Sequence, residues 1–416
     1  MSTNENKGKK AEVTALQAIS AEDRKDWISL AFVQAGICVC VPAFLLGALL
    51  AEAMPIWPAI ISGSLGYLIV VVGMVATGMI GCDLGLASCT CCQAGFGKSG
   101  ARFIVSTIFA VNMIGWFGIQ NGVCGEAFSN AMLAMTGWDI PVVVSNTIWG
   151  IIMLLTAVYG VHALEKLDKI SIPLLMIIMC YGTFLAFKVY GTGNLNDEGT
   201  VQSMSFMSGV ALSFNFTAVG TITGPDYTRF QKSRKDTVKS VFYGVFPMGV
   251  ITLIMGIVLT KLSGQYDISM VLIEVGLPLL GIIALVISTW TTNSTNAYSA
   301  GLNIVMALKL KDNRRREATL ISGIVGIVLC DLGILGHVEG VLSLLSYVVC
   351  PVGGVILADY WVVGKGKAKN FRPQDGVNWA GVIAWALGAI ISYTLVKIEF
   401  LSLIHISEPT RLDVIS

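Results

Sequence analysis

Phe214-Asn215-Phe216-Thr217-Ala218-Val219-Gly220-Thr221-Ile222-Thr223-Gly224-Pro225-Asp226-Tyr227-Thr228-Arg229-Phe230 begins apolar, gathers hydroxyls and an amide, meets Gly-Pro and ends in charge. A helix that only crosses lipid has no use for this gradient. Unpaired backbone groups cost several kcal/mol each in hydrocarbon, so an interrupted helix is tolerated at membrane depth only where protein buries it or a polar cavity borders it. The stretch therefore predicts a discontinuous span beside a binding cavity.

The rest of the chain supplies the membrane context. Of 416 residues, 55% are hydrophobic and 13% charged, and the mean hydropathy is +0.75, far from the balance of a soluble domain. Apolar runs long enough to cross about 30 Å of hydrocarbon lie at 28–52, 56–80, 102–122, 140–160, 170–189, 205–223, 240–260, 271–307, 318–335, 337–362 and 378–396. These eleven runs predict an all-α polytopic membrane protein. With the N-terminus placed inside, the inner loops collect most of the Lys and Arg, as cytoplasmic loops do. Arg229, Lys232, Arg234, Lys235 and Lys239 follow span six, and Lys309, Lys311, Arg314, Arg315 and Arg316 follow span eight. Only Lys188, Lys261 and Lys397 fall outside. The net charge of +1 points to no nucleic-acid partner.

Residues 1–26 are polar, lack a cleavable signal peptide and are expected to form a disordered cytoplasmic tail; residues 27–400 form the membrane domain. From Leu401 the sequence Leu401-Ser402-Leu403-Ile404-His405-Ile406-Ser407-Glu408-Pro409-Thr410-Arg411 looks like translated sequencing-adapter read-through. Residues 401–416 are therefore set apart as a foreign tail, in place of a twelfth span. Cys82, Cys89, Cys91 and Cys92 lack the second Cys or His pair of a zinc site, since His162, His337 and His405 are distant in sequence. Packing is their expected role.

Polar residues recur in stripes. Ser288, Thr291, Thr292, Thr295 and Ser299 fall at i, i+3, i+4, i+7 and i+11 of span eight, along one helical face. A single membrane Ser or Thr usually bonds the carbonyl one turn back, whereas five aligned hydroxyls suit a hard cation such as Na⁺. The missing ligands would be carbonyls of an unwound neighbour. Span one, interrupted by Gly36, Pro42 and Gly47, offers them. Spans one and six lie five apart, the spacing of two inverted five-helix repeats around a midplane site. In span three, Asn112, Trp116 and Gln120 share a face, and Gly115 and Gly118 flank Trp116 and leave room for a planar guest. Ring stacking there would add about 0.5 to 1.5 kcal/mol beyond burial, with Phe216 as the opposite wall. Glu274, near the start of span eight, is a candidate proton or gating group, and Asp226 with Arg229, like Asp359 at the end of span ten, is a candidate local pair or gate strut.

Four motifs in order resemble the nucleobase:cation symporter-1 family, nearest to its bacterial cytosine permeases: Gly115-Trp116-Phe117-Gly118, Pro225 to Phe230, Trp290-Thr291-Thr292-Asn293 and Pro351 to Tyr360. The resemblance runs from about Leu30 to Val396. It implies a LeuT-like five-plus-five inverted-repeat transporter of twelve spans that imports a nucleobase with a cation by alternating access. It implies that Trp116 and Phe216 sandwich the base, with Asn215 and Ser288 at its edge. It further implies that Thr291 and Thr292 bind Na⁺ with carbonyls near Gly36 and Val39. No other cofactor is implied; H⁺ is the alternative coupling ion. A monomer in a bacterial inner membrane, N-terminus cytoplasmic, is expected, with lipid and the small substrate as its only partners.

Cytosine permeases carry glutamine, serine and asparagine where this chain has Met113, Ala218 and Ser288. Each change removes or shortens a hydrogen-bonding group, and a site that pairs a polar edge discriminates by it. Another pyrimidine, a purine or a thiamin-precursor-like heterocycle therefore stands beside cytosine as the expected substrate. An amino-acid or osmolyte symporter of the same architecture is a weaker alternative. A non-transporting nucleobase sensor is weaker still, because the inner loops have no room for an output domain. No residue constellation for an intramembrane enzyme is present.

Overall fold

The computed structural model describes residues 16–192, 195, 203–265, 268–334 and 338–407, and among them it contains helices and no strand. Its helices are α1 Trp27–Cys38, α2 Val41–Ala53, α3 Ile56–Leu84, α4 Ser88–Cys91, α5 Gln93–Gly100, α6 Ser106–Thr136, α7 Val142–Val158 and α8 Val161–Tyr190. They continue with α9 Phe206–Thr217, α10 Val219–Thr228, α11 Arg234–Ser263, α12 Ile268–Glu274, α13 Pro278–Ala307, α14 Arg315–Asp331, α15 Val338–Leu357 and α16 Trp379–Ser407. Each expected apolar run becomes one rod or a helix pair, in order. On α3 the exposed side chains Trp57, Ile61, Leu65, Leu68 and Val72 follow helical spacing and form an apolar outer face, as lipid contact requires.

Span one breaks as expected. Helical geometry stops at Cys38, Val39 (φ −88°, ψ 76°) and Cys40 (φ −145°, ψ 160°) run irregularly, and α2 leaves at 53° to α1. Pro42 stands in the first turn of α2, where its missing N–H costs nothing. Beyond the break, α2 lies almost backbone to backbone on α11. A Cβ on Gly47 would come 2.5 Å from the Leu253 carbonyl oxygen, and one on Gly256 would come 2.5 Å from that of Phe44.

Span six differs from the expectation. Its backbone stays helical from Phe206 to Thr228 and is interrupted only at Ala218, whose own dihedrals are helical. Pro225 sits inside α10. A helix-interior proline frees the carbonyl four residues back, here that of Thr221, and the Thr77 hydroxyl of α3 donates to it. The Gly-Pro pair thus marks a partnered helix, not a break. Thr217 and Thr223 likewise bond Ser213 and Val219 one turn back. Thr77→Val should leave the half-buried Thr221 carbonyl without this donor and cost about 1 kcal/mol, read as a lowered melting temperature of the purified protein; an unchanged melting temperature would remove this role for Thr77.

The expected span 271–307 is also divided. Gly276 (φ +87°) turns the chain between α12 and α13, and Glu274 ends α12, where it accepts from the Tyr190 hydroxyl at 2.7 Å. Glu274 is exposed there and does not belong to α13, the long rod of span eight.

Residues 1–15 of the expected disordered tail and 408–416 of the expected foreign tail lie outside the described residues. Residues 16–26, expected to be disordered, are docked. The Ile19 N–H donates to Gly85 O at 2.9 Å and the Lys25 N–H to Phe230 O at 2.6 Å. The Arg24 guanidinium donates to the carbonyls of Cys82 (2.8 Å) and Gln231 (2.7 Å). Asp26 caps α1 by accepting from the Ser29 N–H at 2.9 Å. The same end of the molecule holds the Arg234–Asp83 ion pair (2.6 Å), the Lys98–Asp375 pair (2.7 Å) and Lys25 with Glu165. These pairs join the N-terminal segment and the segments after spans two, four, six and ten, which the topology places on one side. Cys82, Cys89, Cys91 and Cys92 are all buried.

Candidate functional site

A cavity of about 110 Å³ lies where the span-one break meets span six. Ile37, Cys38, Cys40 and Pro42 of the break form one wall; Met113, Trp116 and Gln120 of α6 form another; Phe216, Val219, Gly220, Thr223 and Tyr227 close the span-six side. Thr292, Thr295 and Asn296 of α13 and Tyr67, Val70 and Met74 of α3 complete it. The α6 residues fall at i, i+3 and i+7, so one face of that helix meets the cavity. The lining is mainly apolar and aromatic with a few polar groups, the usual make-up of a small-molecule pocket. Gln34 and Gln120 each carry a side-chain oxygen without a protein partner, and both residues line the cavity.

The span-one break also leaves a carbonyl free beside α13. The last helical N–H of α1 is that of Val39, donated to Ala35 O at 3.0 Å, so the next carbonyl, of Gly36, is left over as helix-end carbonyls are. Thr292 Oγ1 donates to it at 2.8 Å and Thr291 Oγ1 at 3.4 Å. Both hydroxyls also reach Ser288 O, at 3.1 and 3.0 Å. All of these groups are buried and all are oxygens, a donor set suited to a hard cation. The remaining stripe residues face the same way: Thr295 lines the cavity and Ser299 meets the Tyr227 hydroxyl at 3.1 Å.

Of the residues expected to contact substrate, the structure brings Met113, Trp116 and Phe216 together in one cavity. It does not bring Asn215, Ala218 or Ser288 there. Asn215 is exposed, in line with Met207 and Ala211 on the outward face of α9. Adjacent helical residues point about 100° apart, so Asn215 faces away when Phe216 faces in. Ala218 is buried at the helix interruption. The Ser288 hydroxyl donates to Leu285 O at 3.0 Å within its own helix. Of the expected cation ligands, Gly36, Thr291 and Thr292 converge, and Val39 lies fully buried in the break itself. Sequence reasoning passed over Gln34, whose signal is a lone amide in the apolar half of span one, and Tyr67, which carries no signal beyond aromatic type; Tyr227, within the Pro225 to Phe230 motif read as a hinge away from the base, lines the cavity.

A family model described as permease for cytosine/purines, uracil, thiamine, allantoin matches residues 19–410. The chain belongs to that permease family. It is therefore a multi-pass membrane transporter, and the cavity is the family's to interpret. The chain is 29% identical over 378 residues to the cytosine permease of Escherichia coli (strain K12), covering 89% of this chain and 87% of the relative. Among solved structures, MHP1, a nucleobase-cation-symport-1 family transporter in a closed conformation with bromovinylhydantoin bound, superposes with a TM-score of 0.78 at 17% identity, covering 94% of this chain and 95% of that one. MhsT in complex with L-phenylalanine superposes with a TM-score of 0.62 at 15% identity, covering 91% of this chain and 100% of that one. The fold is the LeuT-like five-plus-five inverted repeat.

Proposed function

We propose that this permease is a Na⁺-coupled symporter that imports a nucleobase or closely related heterocycle by alternating access, as a monomer in a bacterial inner membrane with its N-terminus cytoplasmic. One observation carries the reading: Thr292 belongs to both sites. It lines the substrate cavity and its hydroxyl holds the Gly36 carbonyl at the span-one break. A cation that takes over that carbonyl and that hydroxyl would fix the wall against which the substrate packs. Coupling between two ligands is a shared free energy and is reciprocal, so substrate should likewise tighten Na⁺.

Two aromatic side chains in the lining, Trp116 and Phe216, support a planar ring as the guest. The unpartnered oxygens of Gln34 and Gln120 support a ring whose edge donates N–H bonds. The names of the relatives, cytosine and hydantoin-type permeases, are in keeping with such a molecule. Met113 in the lining removes one polar contact from that edge, so the spectrum is expected to differ from that of a cytosine permease. Among the described residues, no Lys or Arg lines the cavity to pair a carboxylate, which disfavours an amino acid.

The test is a thermal-shift screen of the purified protein with cytosine, uracil, adenine and hydantoin, each in NaCl and in choline chloride. A ligand that binds only the native state stabilises it, by about 2.7 kcal/mol at a hundredfold excess over Kd. At least one compound should raise the melting temperature, and more in NaCl. Equal shifts in both salts would remove Na⁺ from the proposal, and no shift with any of the four would remove the nucleobase.

A further inference from the structure

Asp168 is a carboxylate in α8 with no side-chain exposure, and neither of its oxygens has a hydrogen-bond partner. It lies about two turns into a helix that begins at Val161. A carboxylate taken out of water without donors costs several kcal/mol, and in a membrane span such a group is a functional one by default. Its neighbour identifies the function. A Cβ on Gly36 would stand 2.6 Å from Asp168 Oδ1 and 3.3 Å from Oδ2, so the carboxylate lies against the Gly36 backbone and a side chain there would displace it. The carbonyl of this same Gly36 receives the hydroxyls of Thr291 and Thr292. Side chains of α8 and α13 thus meet at one residue of α1, the carboxylate against its Cα and the two hydroxyls on its carbonyl, and of these groups the carboxylate alone carries a formal charge.

We propose that Asp168 is the anionic member of the coupling-cation site, completing the neutral oxygens of Gly36, Thr291 and Thr292 with the charge that balances a monovalent cation. The unpartnered oxygens are then cation ligands. This rests on the Na⁺ reading above and adds a residue to it. With Asp168 as ligand, the loaded site is electrically neutral, which lowers the cost of carrying the ion through the buried centre of the bundle. The buried Asp168 also explains the absence of a side chain at position 36, since any Cβ there would occupy the space of the carboxylate.

The experiment compares the full-length wild type, Asp168→Asn and Thr292→Ala by thermal shift over a NaCl titration, with choline chloride holding ionic strength constant. It is repeated with binding of radiolabelled sodium to the monodisperse proteins. Contacts to a charged group are worth about 1.5 to 3 kcal/mol, so apparent Na⁺ affinity of Asp168→Asn should fall about tenfold or more. In choline its melting temperature should equal or exceed that of the wild type, because an amide replaces an unpaired charge; a merely structural Asp168 would give a lower one. If Asp168→Asn is not monodisperse, Asp168→Glu keeps the charge and should keep the Na⁺ response. An Asp168→Asn protein that binds sodium as the wild type does, or an Asp168→Glu protein without any Na⁺ response, overturns the assignment of Asp168 alone. A wild type without any Na⁺ response overturns the sodium reading of the whole site.

Discussion

Trp116→Ala should lower affinity for the transported base about 5- to 150-fold, the range set by about 1 to 3 kcal/mol for stacking one base on an aromatic side chain. Trp116 lines the cavity with Phe216, Met113 and Gln120 and is the largest planar surface there. It makes no contribution to the Gly36–Thr292 contact, which lies on α1 and α13. The loss should therefore appear in substrate affinity while Na⁺ still stabilises the empty protein. Trp116→Phe, which keeps a ring, should recover most of the affinity. Equal affinities for wild type and Trp116→Ala, measured by titration in saturating NaCl, would sink the stacking model.

Thr292→Ala should weaken Na⁺ about tenfold or more, from the loss of one charge-directed contact of about 1.5 to 3 kcal/mol. It should also strip substrate binding of its Na⁺ dependence. The two effects belong together because the Thr292 side chain both lines the cavity and meets the Gly36 carbonyl at 2.8 Å. Thr292→Ser retains the hydroxyl and should restore both. In Thr291→Ala the direction is the same and the size smaller, since Thr291 reaches Gly36 at 3.4 Å and does not line the cavity. The readout is the NaCl concentration for half-maximal substrate binding. A Thr292→Ala protein with an unchanged midpoint would place the cation elsewhere.

The hydroxyl stripe of span eight was legible because helical periodicity is local: the spacing of Ser288, Thr291, Thr292, Thr295 and Ser299 fixes their common face whatever surrounds them. The role of Ser288 was not, since whether its hydroxyl turns to Leu285 or to a ligand depends on side-chain torsion. The Gly224-Pro225 pair misled for a related reason. Its expected break is cancelled by Thr77, a residue far away in sequence, and only the packing of α3 on α10 brings that donor to the Thr221 carbonyl. Asn215 was expected at the base edge from the family resemblance alone, which carries no helical phase: next to an inward Phe216 it faces outward. Asp168 was passed over because the fifth apolar run was taken to begin at residue 170. That put the Glu165-Lys166-Leu167-Asp168-Lys169 charges in a loop. Helix α8 starts at Val161, so Glu165 and Lys169 remain at the polar end, paired at 2.8 Å, while Asp168 turns inward to Gly36.

Uptake into proteoliposomes tests the central claim most directly, with radiolabelled cytosine, uracil, adenine and hydantoin offered in turn under an inward Na⁺ gradient and under choline. At least one should accumulate above equilibrium with Na⁺ and only equilibrate with choline, and Trp116→Ala and Thr292→Ala should each abolish that accumulation at low substrate and low Na⁺. Accumulation that is the same in choline, or that survives in both variants, would contradict a Na⁺-coupled cavity built around Trp116 and Thr292.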